Sequence, residues 1–176
     1  MSGVGFPLVT TLTIRPVRPE ELTAVGALTV AAFQADKPSP EGYASTLADA
    51  QTRALHTGIL VAADGQDRLI GAVALVLHGG PYAELSLAAD EAEFRMLAVD
   101  PQGRGQGVGT ALIEECLARA RAAGKRRMVI STGEKMTAAR RRYEALGFCR
   151  AAELDWSPEP GMQLLAYVLE LGESTG

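Results

Sequence analysis

Four glycines alternate along "VDPQGRGQGVGTALIEECL", at Gly103, Gly105, Gly107 and Gly109, directly before an amphipathic run. Glycine lets successive backbone N–H groups approach a ligand and permits positive φ, and the first N–H groups of a following helix are unpaired at its positive dipole end. Such a corner suits a phosphate or pyrophosphate. Two phosphate loops are excluded by spacing. A P-loop needs a lysine after its last glycine, and none follows here; a dinucleotide fingerprint needs a third glycine where Val108 or Thr110 stands. A tight turn at a strand-to-helix corner would also favour glycine, but four glycines exceed what a turn requires.

The elements that position this loop are legible from period. "TLTIRPV" (11–17) alternates as a first strand, and a helix follows from Glu20 to about Ala35, ended by the prolines of "DKPSP". A second helix is expected from Glu41 to about Leu55. Residues 58–80 read as a hairpin of Ile59–Ala63 and Leu69–Leu77. "EAEFRMLAVDP" is a strand stopped by Asp100 and Pro101, the glycine stretch then opens a helix ended by Gly124, and "RMVIST" (127–132) is a short buried strand. "TAARRRYEALGF" (137–148) is a helix with Ala139, Tyr143 and Leu146 inward and Arg140 to Arg142 on a solvated face. The tail supplies two strands, 149–156 and 162–171.

That succession is mixed α/β with at least one strand–helix–strand crossover. The 176 residues suffice for one domain with its own core. Apolar residues make up 47%, charged residues 22%, and the net charge is −4, which does not suggest nucleic acid as a partner. Cys116 and Cys149 form no close pair and there is no histidine cluster, so a reducing cytoplasm is the expected home and no metal is expected. No charged leader precedes an apolar run and no long uncharged apolar window occurs, so neither secretion nor membrane insertion is expected.

"LAVDPQGRGQGVGTALI" resembles the acyl-CoA pyrophosphate loop of the GNAT superfamily of N-acetyltransferases, and "AARRRYEALGF" resembles that family's second motif; the element order from 11 to 171 matches as well. The resemblance implies a single GNAT domain over 1–176. Its α/β fold would be a central mixed, mostly antiparallel twisted sheet of about seven strands, splayed between two central parallel strands and flanked by about four helices. It implies acetyl-CoA as the acyl donor.

Carried over residue by residue, the backbone of Leu97, Ala98 and Val99 would pair with the pantetheine arm. Amides of Arg104, Gly105, Gln106, Gly107, Val108, Gly109 and Thr110 would hold the pyrophosphate, with Gln102 secondary. The Arg104 side chain either adds charge to the phosphates or faces solvent. The Val99 N–H corresponds to the family's oxyanion donor. Tyr143 occupies the position from which a hydroxyl reaches the departing thiolate, or else is a core tyrosine. With ordinary pKa values of about 10 and 8.5, full proton transfer from it would be uphill by roughly 2 kcal/mol, so hydrogen-bond stabilisation is expected.

Glu93 lies where protein-lysine acetylating members carry a general base, with Glu84 and Glu91 as alternatives. Strand alternation places Glu93, Arg95, Leu97 and Val99 on one face, where Arg95 would equally make Glu93 a structural ion pair. Met136 stands where the second motif often has asparagine, and Thr137 is a candidate cap for the helix.

For the acceptor, Phe33, Asp36, Tyr82, Glu84 and Trp156 are candidate pocket residues, and the acidic run from Glu84 to Glu93 either attracts a cationic amine or is a solvated loop. The implied function is transfer of acetyl from acetyl-CoA to a primary amine of a small molecule or of a peptide or protein. The alternatives are an acyl-CoA sensor or scaffold without turnover, and a nucleotide-binding domain outside the family. Neither nucleic acid nor membrane is an expected partner, and the chain is expected to be a monomer or homodimer, the second if the apolar tail strand pairs with another copy.

Overall fold

The computed structural model describes residues 11–36, 42–85 and 88–172. The readings of the leader, of the proline break at 37–40 and of a helix start at Glu41 lie outside the described residues.

Strand β1 (Thr13–Pro16) runs into a 3₁₀ turn, and helix α1 (Leu22–Asp36) follows. The Glu21 carboxylate fixes this entry by accepting the Arg18 amide (2.9 Å) and pairing with Arg15 (2.6 Å). The single helix expected next is two, α2 (Tyr43–Ala48) and α3 (Ala50–His56). Asp49 breaks them apart because its carboxylate accepts the Thr52 amide (3.0 Å), the bond of an N-cap. The guanidinium of Arg53, only 2% exposed, reaches back to the Thr46 and Leu47 carbonyls (3.2 and 3.1 Å), two of the acceptors left at the end of α2.

The remaining elements are β2 (Gly58–Ala63), β3 (Leu69–Val76), β4 (Glu91–Val99), α4 (Val108–Ala122), β5 (Arg127–Gly133), α5 (Thr137–Ala145), β6 (Cys149–Arg150), β7 (Trp156–Glu159) and β8 (Met162–Glu170). Among the described residues the sheet has eight strands in the order β1-β2-β3-β4-β5-β8-β6, with β7 also on β8. The tail strand expected at 149–156 is replaced by β6, a 3₁₀ turn and β7. Asp155 causes the break by accepting the Ala166 amide (2.8 Å) and holding Arg150 in a two-bonded ion pair, so both short strands line β8. The apolar β8 therefore lies inside this chain's own sheet, between β5 and the short strands.

Among the described residues only β4 and β5 are parallel, and they pair only from Glu91↔Arg127 to Glu93↔Val129. Beyond that point β5 continues against β8 alone, and the sheet splays. One face of the sheet packs on α4 and α5 through Leu112, Ile113, Cys116, Tyr143 and Phe148, the other on α1 and α3 through Val25 and Ala50.

Candidate active site

Strand β4 ends in the glycine corner. Asp100 accepts the Gln102 amide (2.9 Å) and the Gly103 N–H bonds the Asp100 carbonyl (2.7 Å), closing a 3₁₀ turn. Gly105 (φ 82°) and Gly107 (φ 78°) then take the left-handed backbone that turns the chain into α4, a conformation side chains disfavour. Among the described residues, none of the amides from Arg104 to Thr110 meets a protein acceptor. Seven consecutive donors are thus gathered at the start of a 15-residue helix.

The splay opens beside this corner. Asp100 donates its amide to Ile70 O (2.9 Å), so Gly71 and Val99, one step back, form a non-hydrogen-bonded antiparallel pair. The Val99 N–H and C=O consequently point away from β3, toward the side from which β5 has departed. Sequence alternation places Glu93, Arg95, Leu97 and Val99 together, and the structure corrects this. Ala72 faces Ala98 but Ala74 faces Arg95, so Met96 and Leu97 both oppose Val73 in a β-bulge, with Met96 at φ 54°. The extra residue inverts the alternation: Leu97 and Val99 pack toward α4, whereas Glu93 and Arg95 face α1–α3, where Met96 Sδ takes a hydrogen bond from Arg53 (3.2 Å).

Tyr143 is 6% exposed, its ring among Phe94, Phe148 and Tyr167 at centroid distances of 6.0, 5.8 and 6.1 Å. Its hydroxyl makes no hydrogen bond among the described residues, and burial pushes its pKa up to about 12, against a small opposing effect of Arg142. Met136, not Thr137, occupies the N-cap position of α5 and offers it no side-chain bond; Thr137 is the first helical residue.

On the α1–α3 face lies an open pocket of about 500 Å³ lined by Tyr43, His56, Tyr82, Glu84 and Arg95, with Thr46, Thr52 and Pro81. Arg95 forms an ion pair with Glu84, not with Glu93, and its guanidinium lies 6.0 Å from the Tyr82 ring, which stacks on His56 (6.1 Å). Burial raises the pKa of Glu84, aided by Glu93 and opposed by Arg95. Glu93 is fully buried, and its Oε1 accepts the Glu84 and Leu85 amides (2.9 Å each), holding that loop on β4. Glu91 accepts the Ala88 amide (3.1 Å) outside the pocket.

Of the other acceptor candidates, Phe33 sits edge-on to Tyr43 at 6.4 Å, behind the pocket wall, and Trp156 donates to Ser131 Oγ (3.3 Å) alongside the departed β5. Asp36 binds Arg104 (2.6 and 3.2 Å), which also reaches the Ala32 carbonyl (3.1 Å), so the exposed Arg104 guanidinium is already engaged by a carboxylate. Sequence reasoning missed Tyr43, His56 and Arg53. No local pattern marks them, because three separate segments carry the pocket; Asp49 three residues before Thr52 is the one available sign of the helix break that sets them in place.

Residues 23–148 match the family model of the acetyltransferase (GNAT) family, a span that contains both the glycine corner and Tyr143. The mycothiol acetyltransferase of Salinispora tropica is 34% identical over 165 residues, covering 90% of this chain and 50% of its own length; that of Cellulomonas flavigena is 35% identical over 104 residues, 58% of this chain and 29% of its own. The chain thus spans half or less of the length of these curated relatives. Among solved structures, yncA from Salmonella typhimurium, determined with its cofactor acetyl-CoA, superposes with a TM-score of 0.65 at 20% identity over 94% of this chain and 96% of the other. The chain belongs to the GNAT family of acetyltransferases. Acetyl-CoA is the cofactor of that family, and the unpaired amides of 104–110 beside an open strand edge fit its pyrophosphate and its amide-bearing arm. Among the described residues, no cluster of His, Cys, Asp and Glu is arranged to hold a metal, and no helix is long and apolar enough to cross a membrane.

Proposed function

We propose that this domain transfers the acetyl group of acetyl-CoA to a primary amine on a small molecule or a peptide. The observation that carries the reading is the run of unpaired amides from Arg104 to Thr110 at the point where β4 loses its parallel partner. When bound, acetyl-CoA supplies the acetyl group activated as a thioester. The amides of 104–110 would hold its pyrophosphate, with Gln102 at the edge of that turn, and the backbone of Leu97, Ala98 and Val99 would align its arm, with Met136 as a further contact. Val99 directs its N–H into the splay, where it would face negative charge developing on a carbonyl oxygen. Tyr143 keeps its proton on Oη throughout the neutral range and presents it as a donor.

On the acceptor side, Tyr82 and Glu84 line the pocket, Phe33 packs on Tyr43 of its wall, and Trp156 stands apart beside Ser131 of β5. Glu84 presents its carboxylate there with a basicity increased by burial, which favours it for taking the acceptor's proton. Glu93 holds the Glu84 backbone in place. The free thiols Cys116 and Cys149 favour a cytoplasmic setting.

The test is a calorimetric titration with acetyl-CoA beside ATP and NAD, followed by CoA release over a panel of amines. Selective acetyl-CoA binding and amine-dependent thiol release are expected. Binding without release would point to a sensor, and no binding would remove the reading. Glu84→Gln is expected to lower turnover with recovery at higher pH; the same behaviour in Glu93→Gln alone would return the base to Glu93.

A further inference from the structure

The sequence places the three consecutive arginines of α5 on one solvated face, and the structure separates them. Arg140 donates to Tyr167 Oη (3.0 Å) and to the Glu134 carbonyl (3.1 Å), and Arg141 is exposed. Arg142 is half-buried and lies across the first turn of α4. A Cβ placed on Gly109 would stand 2.6 Å from Arg142 Nη1 and 3.0 Å from its Cζ, so the end of the guanidinium lies where any side chain at 109 would oblige it to shift. Gly109, which unlike Gly105 and Gly107 does not take a positive φ, therefore leaves room for the arginine as it lies.

Its location is electrostatically unfavourable for the protein alone. The first turn of a helix is its positive end, and a cation there is repelled by the helix dipole and by the unpaired N–H groups. The other arginines of the site have carboxylate partners, Arg104 with Asp36 and Arg95 with Glu84. Among the described residues, no ion pair or hydrogen bond engages the Arg142 guanidinium. A guanidinium held without a counter-charge beside a cluster of amide donors is placed to share an anion with them.

We propose that Arg142 is the side-chain cation of the pyrophosphate site, adding a charge-assisted bond to the donor's diphosphate while the amides of 104–110 supply the rest. Arg104, the cation that the loop sequence suggests, is instead a strap tying the loop to α1 through Asp36 and Ala32. The proposal rests on acetyl-CoA being the ligand of this corner, and it makes Gly109 and Arg142 a matched pair across α4 and α5.

The experiment is calorimetric determination of Kd for acetyl-CoA and for its 3′-dephospho form with the wild type, Arg142→Gln and Arg141→Gln. Arg142→Gln is expected to weaken both ligands by about tenfold to a hundredfold and to flatten the salt dependence, while Arg141→Gln matches the wild type. A Kd for Arg142→Gln within twofold of wild type overturns the proposal. So does a loss confined to the ligand that carries the 3′-phosphate. Wild type that binds neither ligand removes the acetyl-CoA reading itself, a distinct result. Should Arg142→Gln fail to fold, the wild-type Arg142 Nε–H resonance, assigned through Arg142→Lys, is followed on adding inorganic pyrophosphate; a saturable shift supports the assignment and no shift overturns it.

Discussion

Replacing Tyr143 by phenylalanine removes one oxygen from a ring that is otherwise held by Phe94, Phe148 and Tyr167. The hydroxyl has no protein partner among the described residues, so the substitution leaves no orphaned group behind and the packing survives. With Tyr143 at about 12 and an ordinary thiol at about 8.5, complete proton transfer to a thiolate would cost about 5 kcal/mol. In the proposed function the hydroxyl would therefore act as a hydrogen-bond donor to a charged sulfur, an interaction of about 1.5–3 kcal/mol, or about 10- to 150-fold in turnover. Following CoA release with a thiol reagent, alongside calorimetric acetyl-CoA affinity, separates the effects: turnover is expected to fall by that factor with Kd unchanged. Turnover within twofold of wild type, or a Kd that rises in step with the loss, would refute the reasoning.

The same burial gives a pH signature with a definite sign. Unfolded tyrosine ionises near pH 10, while Tyr143 in the fold holds its proton to about 12, so its contribution to stability is fully present below pH 10 and is lost as pH rises to 12. Wild type is expected to lose up to about 3 kcal/mol over that interval from this group, and Tyr143→Phe to lose correspondingly less; parallel stability curves for the two would contradict the burial argument. Gly26→Ala would place a Cβ 2.1 Å from the Ala48 carbonyl, where α1 crosses the end of α2, and is expected to destabilise the fold by at least about 2 kcal/mol. A melting temperature unchanged to within about a degree would show that the two helices separate freely. Arg53→Ala strips the Thr46 and Leu47 carbonyls of their donor and is expected to cost about 3 kcal/mol in denaturant unfolding; an unchanged midpoint would mean water replaces the guanidinium without penalty.

The parts of the site that follow one stretch of chain are legible in the sequence. Glycines at 105 and 107 are demanded by positive φ, Asp100 and Pro101 end a strand, and the four-residue spacing from Ala139 to Tyr143 points a tyrosine inward. Each of these is decided by backbone sterics within a few residues. The bulge at Met96 leaves no comparable trace, because one extra residue in an apolar strand changes neither its composition nor its length, yet it reverses which side chains accompany Val99. Glu93 and Glu84 both stand out in the sequence as candidate bases. Which of them lines the pocket depends on a loop whose course is set by hydrogen bonds to β4.

By itself, then, the sequence determined the succession of strands and helices, the anion-binding corner and the family, since these rest on period, turn chemistry and local helix-terminus electrostatics. Tertiary structure alone decided which arginine of that corner finds a carboxylate and which glutamate lines the pocket. Arg142 reaches Gly109 across 33 residues of chain, and Arg104 reaches Asp36 across 68. No local rule ranks one arginine above another. Their roles follow from the partners that packing brings within hydrogen-bond distance, because a guanidinium is neutralised by whichever carboxylate the fold delivers to it.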